Sequence, residues 1–267
     1  TTTSAVEPVR LKDSSGKYIE YEDNDYTVQV RADLIQYSQF IGQQDISVDD
    51  DCLVDEDLII TRTYNHGHFE RGGRLGRGKW VNYSKNHRAK LLVNGEEAVE
   101  IDYPASAHNI IYYLETGSKY QGGGDLYLVC VENREVPRDY VKLIANIMLN
   151  TRNRRTASDA FNKQLLVDKD DVFVGLDIPP TAIINSFLEK HSQIKHCYLK
   201  GKIKGSEIQH YESEMIFWVL KELMARGIVG LSVHDSIIVP EQHRGLVYAL
   251  KQDAYSEVLP TSPLGRV

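Results

Sequence analysis

The chain has 267 residues, 42% of them apolar, and a formal net charge of -7. That apolar content can fill one large core or two small ones, which excludes a chain disordered along its whole length. No apolar run approaches the length of a membrane span, and the first residues carry neither the basic flank nor the apolar core of a signal peptide, so the sequence predicts a soluble cytoplasmic protein with no membrane partner. Cys52, Cys130 and Cys197 are odd in number, scattered and without Cys-x-x-Cys spacing, which argues against a disulfide framework or a zinc site.

Residues 1 to about 60 mix short β-like pieces, such as Tyr26 to Val30, with a helical segment near Ala32 to Phe40. The acidic stretch that follows, from Asp49 to Asp57, suits a linker, a charged rim or a docking surface for another chain. Charge then changes sign. From Arg62 to Lys90 the basic residues are interrupted by one acid, Glu70, and a second basic cluster includes Arg134, Arg138, Lys142, Arg152, Arg154 and Arg155. An acidic chain with two such segments can hold phosphates in a cleft, or can simply present two solvated faces.

Between His68 and Asn82, glycines alternate with Arg71, Arg74 and Arg77. Glycine permits close backbone approach and arginine offers paired donors to phosphate, so the stretch is either a phosphate-backbone clamp or a Gly-rich hairpin. It is not a P-loop, because Gly78-Lys79 is followed by Trp80, and it lacks the Gly-x-Gly-x-x-Gly order of a dinucleotide fold. Trp80 and Tyr83 are candidates either for base stacking or for packing.

Ala98 to Tyr103 is strand-like, and Pro104 begins a helix through Ile110, Ile111 and Leu114. Asp102 therefore stands at a strand end, as a helix cap or as one half of a metal site. Arg138 to Asn150 has an apolar helical face, with Arg138 and Lys142 one turn apart on another; the two cations suit a triphosphate grip or a surface pair. Tyr211 to Arg226 is a second amphipathic helix, with Gly227 as its left-handed cap and Ile228 opening a strand. The stretch from Leu231 to Pro240 then reads as two strands with His234, Asp235 and Ser236 at the turn. Asp102 and Asp235 on one sheet would suit two-metal phosphoryl transfer.

Glu70-x-x-Gly73-Arg74, the strand-end Asp102, Arg138-x-x-x-Lys142 and His234-Asp235-Ser236 occur in that order. Together they resemble the motifs of the polymerase superfamily that unites family A DNA polymerases with the single-subunit RNA polymerases of phages and mitochondria. The resemblance spans about residues 68 to 240. It implies an α+β fold: a right-hand palm whose antiparallel sheet carries the catalytic carboxylates, with fingers helices. It divides the chain into a partner-docking N-terminal segment (1–67), a first palm segment (68–133), fingers (134–205) and a second palm segment (206–267).

On the same resemblance, Asp102 and Asp235 bind two Mg2+ ions. Arg138 and Lys142 contact the incoming triphosphate, with Lys142 the general acid for departing pyrophosphate. Gly73, Arg74 and Arg77 belong to the segment that touches the template or hybrid backbone, His234 positions the primer or transcript end, and Gln209 reaches the nucleic acid. Ala107, five residues after Asp102, stands where DNA polymerases of the family usually carry a Glu that obstructs the ribose 2′-hydroxyl, and His-Asp-Ser is the phage RNA polymerase form. Both favour a DNA-directed RNA polymerase using ribonucleoside triphosphates, with a reduced family A DNA polymerase, a non-catalytic nucleic-acid-binding relic of a palm and a two-metal nuclease as alternatives.

Asn150, eight residues after Lys142, departs from the pattern, because the family places a Tyr there beside the nucleotide. At 30.4 kDa the chain is also small for the family. The resemblance is therefore to a catalytic subunit of a two-chain phage enzyme, acting in the host cytoplasm. Its expected partners are a DNA template, an RNA product, a second polypeptide supplying the missing domains, and a single-stranded-DNA-binding or activator protein.

Overall fold

The computed structural model describes residues 6–49, 51–167 and 177–260. Asp50 of the acidic stretch, residues 168–176 of the expected fingers segment and residues 261–267 of the expected second palm segment lie outside them. The described chain is α+β and packs as two units, one formed by residues 6–107 with 207–260 and the other by 108–206. None of its helices is long and apolar enough to cross a membrane.

In chain order the first unit contains β1 (Val9–Lys12), β2 (Tyr18–Ile19), α1 (Asp25–Gly42), β3 (Ile46–Val48), β4 (Asp51–Cys52), β5 (Thr61–Asn65), β6 (His68–Gly76), α2 (Lys85–Arg88), β7 (Leu91–Val93) and β8 (Glu96–Ile101). Helix α3 (Ser106–Thr116) leads into the second unit, made of β9 (Val129–Val131), β10 (Arg134–Val136), α4 (Arg138–Asn150), α5 (Arg154–Val167) and α6 (Pro180–Lys190). Helix α7 (Lys202–Met224) returns to the first unit, which β11 (Leu231–Val233), β12 (Ser236–Pro240) and α8 (Arg244–Val258) complete.

Two local expectations are corrected. Tyr26 to Val30, β-like by composition, is the first turn and a half of α1. A capping box decides it: the Asn24 side chain accepts from the Thr27 backbone, and the Thr27 hydroxyl accepts from the Asn24 backbone. Two end donors satisfied in this way outweigh the weak strand preference of Thr, Val and Tyr. The first hairpin strand also begins later than Ile228, at Leu231, after Gly227 ends α7 with φ +70.

Two sheets organise the first unit. One has the order β2-β1-β5-β6 and contains a parallel β1–β5 pair; the other is wholly antiparallel with the order β11-β12-β8-β7-β3-β4. The residues of segment 1–67 thus supply strands to both sheets. Every residue of β11 and β12 is buried, and α7 contributes Met215, Ile216, Val219, Leu220 and Leu223 to the same core. Burying each such side chain stabilises the fold by roughly 1.5–3 kcal/mol relative to exposure. Trp80 is fully buried and its Nε1 donates to the Ser232 carbonyl at 2.9 Å, so it anchors the hairpin and has no face free for a base.

In the second unit α4 buries the apolar face read from its sequence, Val141, Ile144, Ala145 and Met148, against α5 and α6. Its interior also holds a ring of polar aromatics. The Tyr198 hydroxyl meets His108 Nδ1 at 2.8 Å, the Tyr112 hydroxyl meets His191 Nδ1 at 2.7 Å, and His191 Nε2 lies 3.0 Å from the Leu126 carbonyl. Burial lowers the His108 pKa to about 3 and the His191 pKa to about 4, so both are neutral members of the core.

Candidate active site

Strand register brings the hairpin to Asp102. β12 runs antiparallel to β8 with Ile237 opposite Ile101, so the next pair in that direction is Ser236 and Asp102. Ser236 Oγ lies 3.5 Å from Asp102 Oδ1. Asp235 precedes Ser236 in a two-residue turn whose first member, His234, has φ +54. A non-glycine residue in that region is strained, and the tight hairpin holds it there. Asp102 is exposed at the sheet end, and Asp235 is half-buried.

Asp235 lies among several charged groups. Burial first, then the carboxylates of Glu212 and Asp102, raise its pKa, while Arg74 opposes the rise. Glu212 is itself buried on α7 and accepts from Arg74 Nη2 at 2.7 Å. Gln209, one turn earlier on α7, accepts from Arg74 Nε at 3.0 Å when its amide oxygen faces the guanidinium. Arg74 and Gln209, both expected near nucleic acid, are therefore linked to each other and to Glu212. Glu212 lies on the same helix, where the motif resemblance makes it, with Gln209 and His210, a candidate to reach the nucleotide or primer; the alternative, an exposed helix start, is corrected by its burial.

Lys251 had no signal in the sequence. It lies on α8 and is 2% exposed; its Nζ donates to the Ile101 carbonyl at 2.7 Å and sits 3.9 Å from the centre of the Tyr103 ring. Burial lowers its pKa from 10.5 to about 7, against the pull of Asp102 and Asp235, which favour its charged form. A lysine thus stands behind the strand end that carries Asp102.

Gly73 serves the fold directly. Between Tyr64↔Gly72 and Thr63↔Arg74 the ladder of β5 and β6 shifts by a residue, and Gly73 is the extra one, with φ +79. A Cβ there would come within 2.9 Å of the Tyr64 ring and 3.0 Å of Arg62 Nη2. Arg62 is completely buried. Its Nε donates to the Gly73 carbonyl at 2.8 Å and its Nη2 to Glu214 at 2.9 Å, while the Tyr26 hydroxyl donates to the same carboxylate at 2.7 Å. Burial alone would raise the Glu214 pKa, but Arg62, Tyr26 and His210 hold it below the usual value. This bulge directs Arg74 toward Glu212. Arg77 is exposed with φ +77 after the end of β6, and Tyr83 stacks on His87 with centroids 4.3 Å apart.

Ala107 lies in the first turn of α3, half-buried, at the end of the first unit. The other expected nucleotide residues belong to the second unit. Arg138 and Lys142 are exposed on α4, where Arg138 pairs with Asp125 and lies over the Tyr127 ring. Asn150, at the end of α4, donates from Nδ2 to the Asn146 carbonyl at 3.2 Å.

Potential metal ligands occur in both units. Asp102 and Asp235 offer oxygen donors alone, the set that magnesium takes. Among the described residues one group of three mixed donors also converges: Glu115, His196 and Cys197, with ligand atoms within 4.8 Å of one another. Thiol, imidazole and carboxylate form a softer set suited to zinc-like ions. The scattered cysteines gave no sign of it, because its members come from α3 and from the turn before α7. No family model matches the chain, and no curated protein matches its sequence.

Proposed function

We propose that the chain carries out template-directed nucleotidyl transfer, as the catalytic subunit of a phage-type DNA-directed RNA polymerase. The observation that carries this reading is the register that sets Asp102 beside the Asp235 turn on one antiparallel sheet. Support also comes from the excess negative charge there. Burial first, and then the carboxylates of Glu212 and Asp102, push Asp235 toward its protonated form, and a bound divalent cation would relieve the repulsion among the carboxylates.

The donor set fits Mg2+, since both residues present carboxylate oxygen and magnesium completes its shell with water and substrate phosphates. Asp102 and Asp235 would hold the ions, which supply charge neutralisation for the attacking and leaving oxygens when bound. In the reaction a 3′-hydroxyl oxygen bonds to the α-phosphorus of a nucleoside triphosphate, and pyrophosphate leaves. Arg74 holds Glu212 in place through a contact of 2.7 Å, so the third acid has a fixed position near Asp235. His234 at the turn tip is the candidate contact to the primer or transcript end. Arg138 and Lys142 keep the triphosphate roles that motif order gives them, with Lys142 as proton donor to pyrophosphate. Ala107 lacks the bulk that would exclude a ribose, which favours RNA over DNA as product.

The test is extension of a short RNA primer on single-stranded DNA with magnesium, using ribo- or deoxynucleotides separately, with and without any co-purifying polypeptide. Ribonucleotide incorporation that Asp235→Ala abolishes is the expected result. Preference for deoxynucleotides would turn the reading into a reduced DNA polymerase. Absence of incorporation with the template bound and the partner present would reduce it to a nucleic-acid-binding palm.

A further inference from the structure

The second unit contains a cleft of about 830 Å³ whose wall holds Arg152, Arg154, Arg155, Lys195, His196 and Lys200, and whose lining includes no carboxylate. All six side chains are exposed. They come from two segments, the link from α4 into the first turn of α5 and the turn between α6 and α7. Backbone bonds join these segments: Leu199 N donates to the Met148 carbonyl and Gly201 N to the Thr151 carbonyl, each at 2.9 Å. Gly201, at φ +87, leaves room for the Arg152 stem, which a Cβ would meet at 3.0 Å. Cys197 and Tyr198 turn inward and are buried, so their neighbours Lys195, His196 and Lys200 turn outward.

Folding does not account for this concentration of charge. Arg152, Arg155, Lys195 and Lys200 have no ion pair among the described residues; Arg154 donates only to the Asn185 amide oxygen at 3.0 Å, and His196 pairs with Glu115 outside the lining. Arg154 and Arg155 also open α5 with no acid in its first turn, where the helix dipole disfavours cations. In a chain of net charge -7, five permanent cations held together on a joined scaffold repel one another unless an anion lies among them.

We infer that this cleft binds the sugar-phosphate backbone of single-stranded nucleic acid without regard to sequence. The cations are spread along an open wall and are all exposed, which suits successive phosphates of a polymer better than one enclosed phosphate group. The aromatic residue in the lining, Tyr198, is 3% exposed and hydrogen-bonded to His108, so it gives no platform for a base. Contact is to the backbone, which positions a strand and does not read it. The inference rests on the polymerase reading only for the purpose of the strand.

The test is fluorescence anisotropy of the full chain with a labelled single-stranded DNA oligonucleotide over a series of potassium chloride concentrations. The comparison is with Arg152→Gln/Arg155→Gln/Lys195→Gln/Lys200→Gln, which leaves His196 and the Glu115 donor group intact. Affinity is expected to fall at least about tenfold, and the slope of log K against log salt to become shallower by about 0.7 for each phosphate no longer neutralised. Charge reversal at Lys200 alone, Lys200→Glu, is expected to weaken binding in the same direction. Unchanged affinity and slope in both variants, with unchanged thermal melting, would overturn the inference. So would displacement of the oligonucleotide by tripolyphosphate at equal phosphate concentration, which would mark a small-anion site. Asp235→Ala measured alongside separates the two readings. It should bind with the wild-type salt slope, and failure of the wild-type chain to extend a primer, which would remove the polymerase reading, would leave the slope difference standing.

Discussion

The carboxylate end of the first unit and the basic cleft of the second handle charge in opposite ways. In the first unit the buried charges are paired, Glu212 with Arg74 and Arg62 with Glu214, while buried Lys251 donates to the Ile101 carbonyl. Around Arg155 and Lys200 the charges are exposed and have no ion pair among the described residues. A buried pair fixes geometry, because removing either partner strands the other in a poorly solvating medium. An exposed, unpaired cation contributes little to folding, so its charge remains available to a ligand. The contrast separates side chains that build a site from side chains that receive something.

The largest effect that would break the comparison is on turnover. Asp235→Ala and Asp102→Ala should each lower nucleotide incorporation by about a hundredfold or more, the scale for removing a principal electrostatic element of an active site. Steady-state primer extension, with circular dichroism to verify folding, checks it. Activity within about tenfold of wild type would remove the carboxylate pair from the chemistry.

Stability comes next. Arg62→Met strands Glu214 and the Gly73 carbonyl and should cost about 3 kcal/mol, read from the urea midpoint. A cost near zero would show that the cluster is solvated, like the cleft.

Lys251 sharpens the comparison through pH. Its folded pKa, about 7, lies below the ordinary 10.5, so between those values the unfolded chain binds more protons. Stability attributable to Lys251 therefore increases as pH rises from about 7 toward 10.5, and is lost as pH falls back through that window. The urea midpoint of the wild type should rise from about pH 7 to about pH 9 relative to that of Lys251→Met. Parallel pH profiles for the two proteins would place Lys251 in water. The smallest effect is expected in the cleft, where Lys200→Gln or Arg155→Gln should move stability by no more than about 0.5 kcal/mol. A larger loss, by chemical denaturation, would mean that these cations are structural after all.

Local signals made much of the fold legible. Apolar spacing along Tyr211 to Arg226, the Gly227 cap and the two β-rich runs around His234-Asp235 gave helix, cap and hairpin, since each is settled within a few residues. The position of Asp102 at a strand end was legible for the same reason, as were Arg138 and Lys142 on one helix. Local signals failed where two local preferences competed, as at Tyr26 to Val30, where the Asn24–Thr27 cap overrode side-chain preference.

What only the tertiary structure decided is how distant segments satisfy one another's charges and unpaired groups. Sequence order alone determined that two aspartates, a glycine-arginine pair and two helical cations were present. The β8–β12 register decided that Asp102 faces Ser236, and the bulge at Gly73 decided that Arg74 reaches Glu212. Lys251 looks in sequence like any helix-surface lysine; packing of α8 buries it and makes it part of the site. The basic cleft exists because backbone bonds from Leu199 to Met148 and from Gly201 to Thr151 join segments far apart in the chain. Such pairings depend on burial and backbone hydrogen bonding across the fold, and neither has a period or a motif that the linear chain displays.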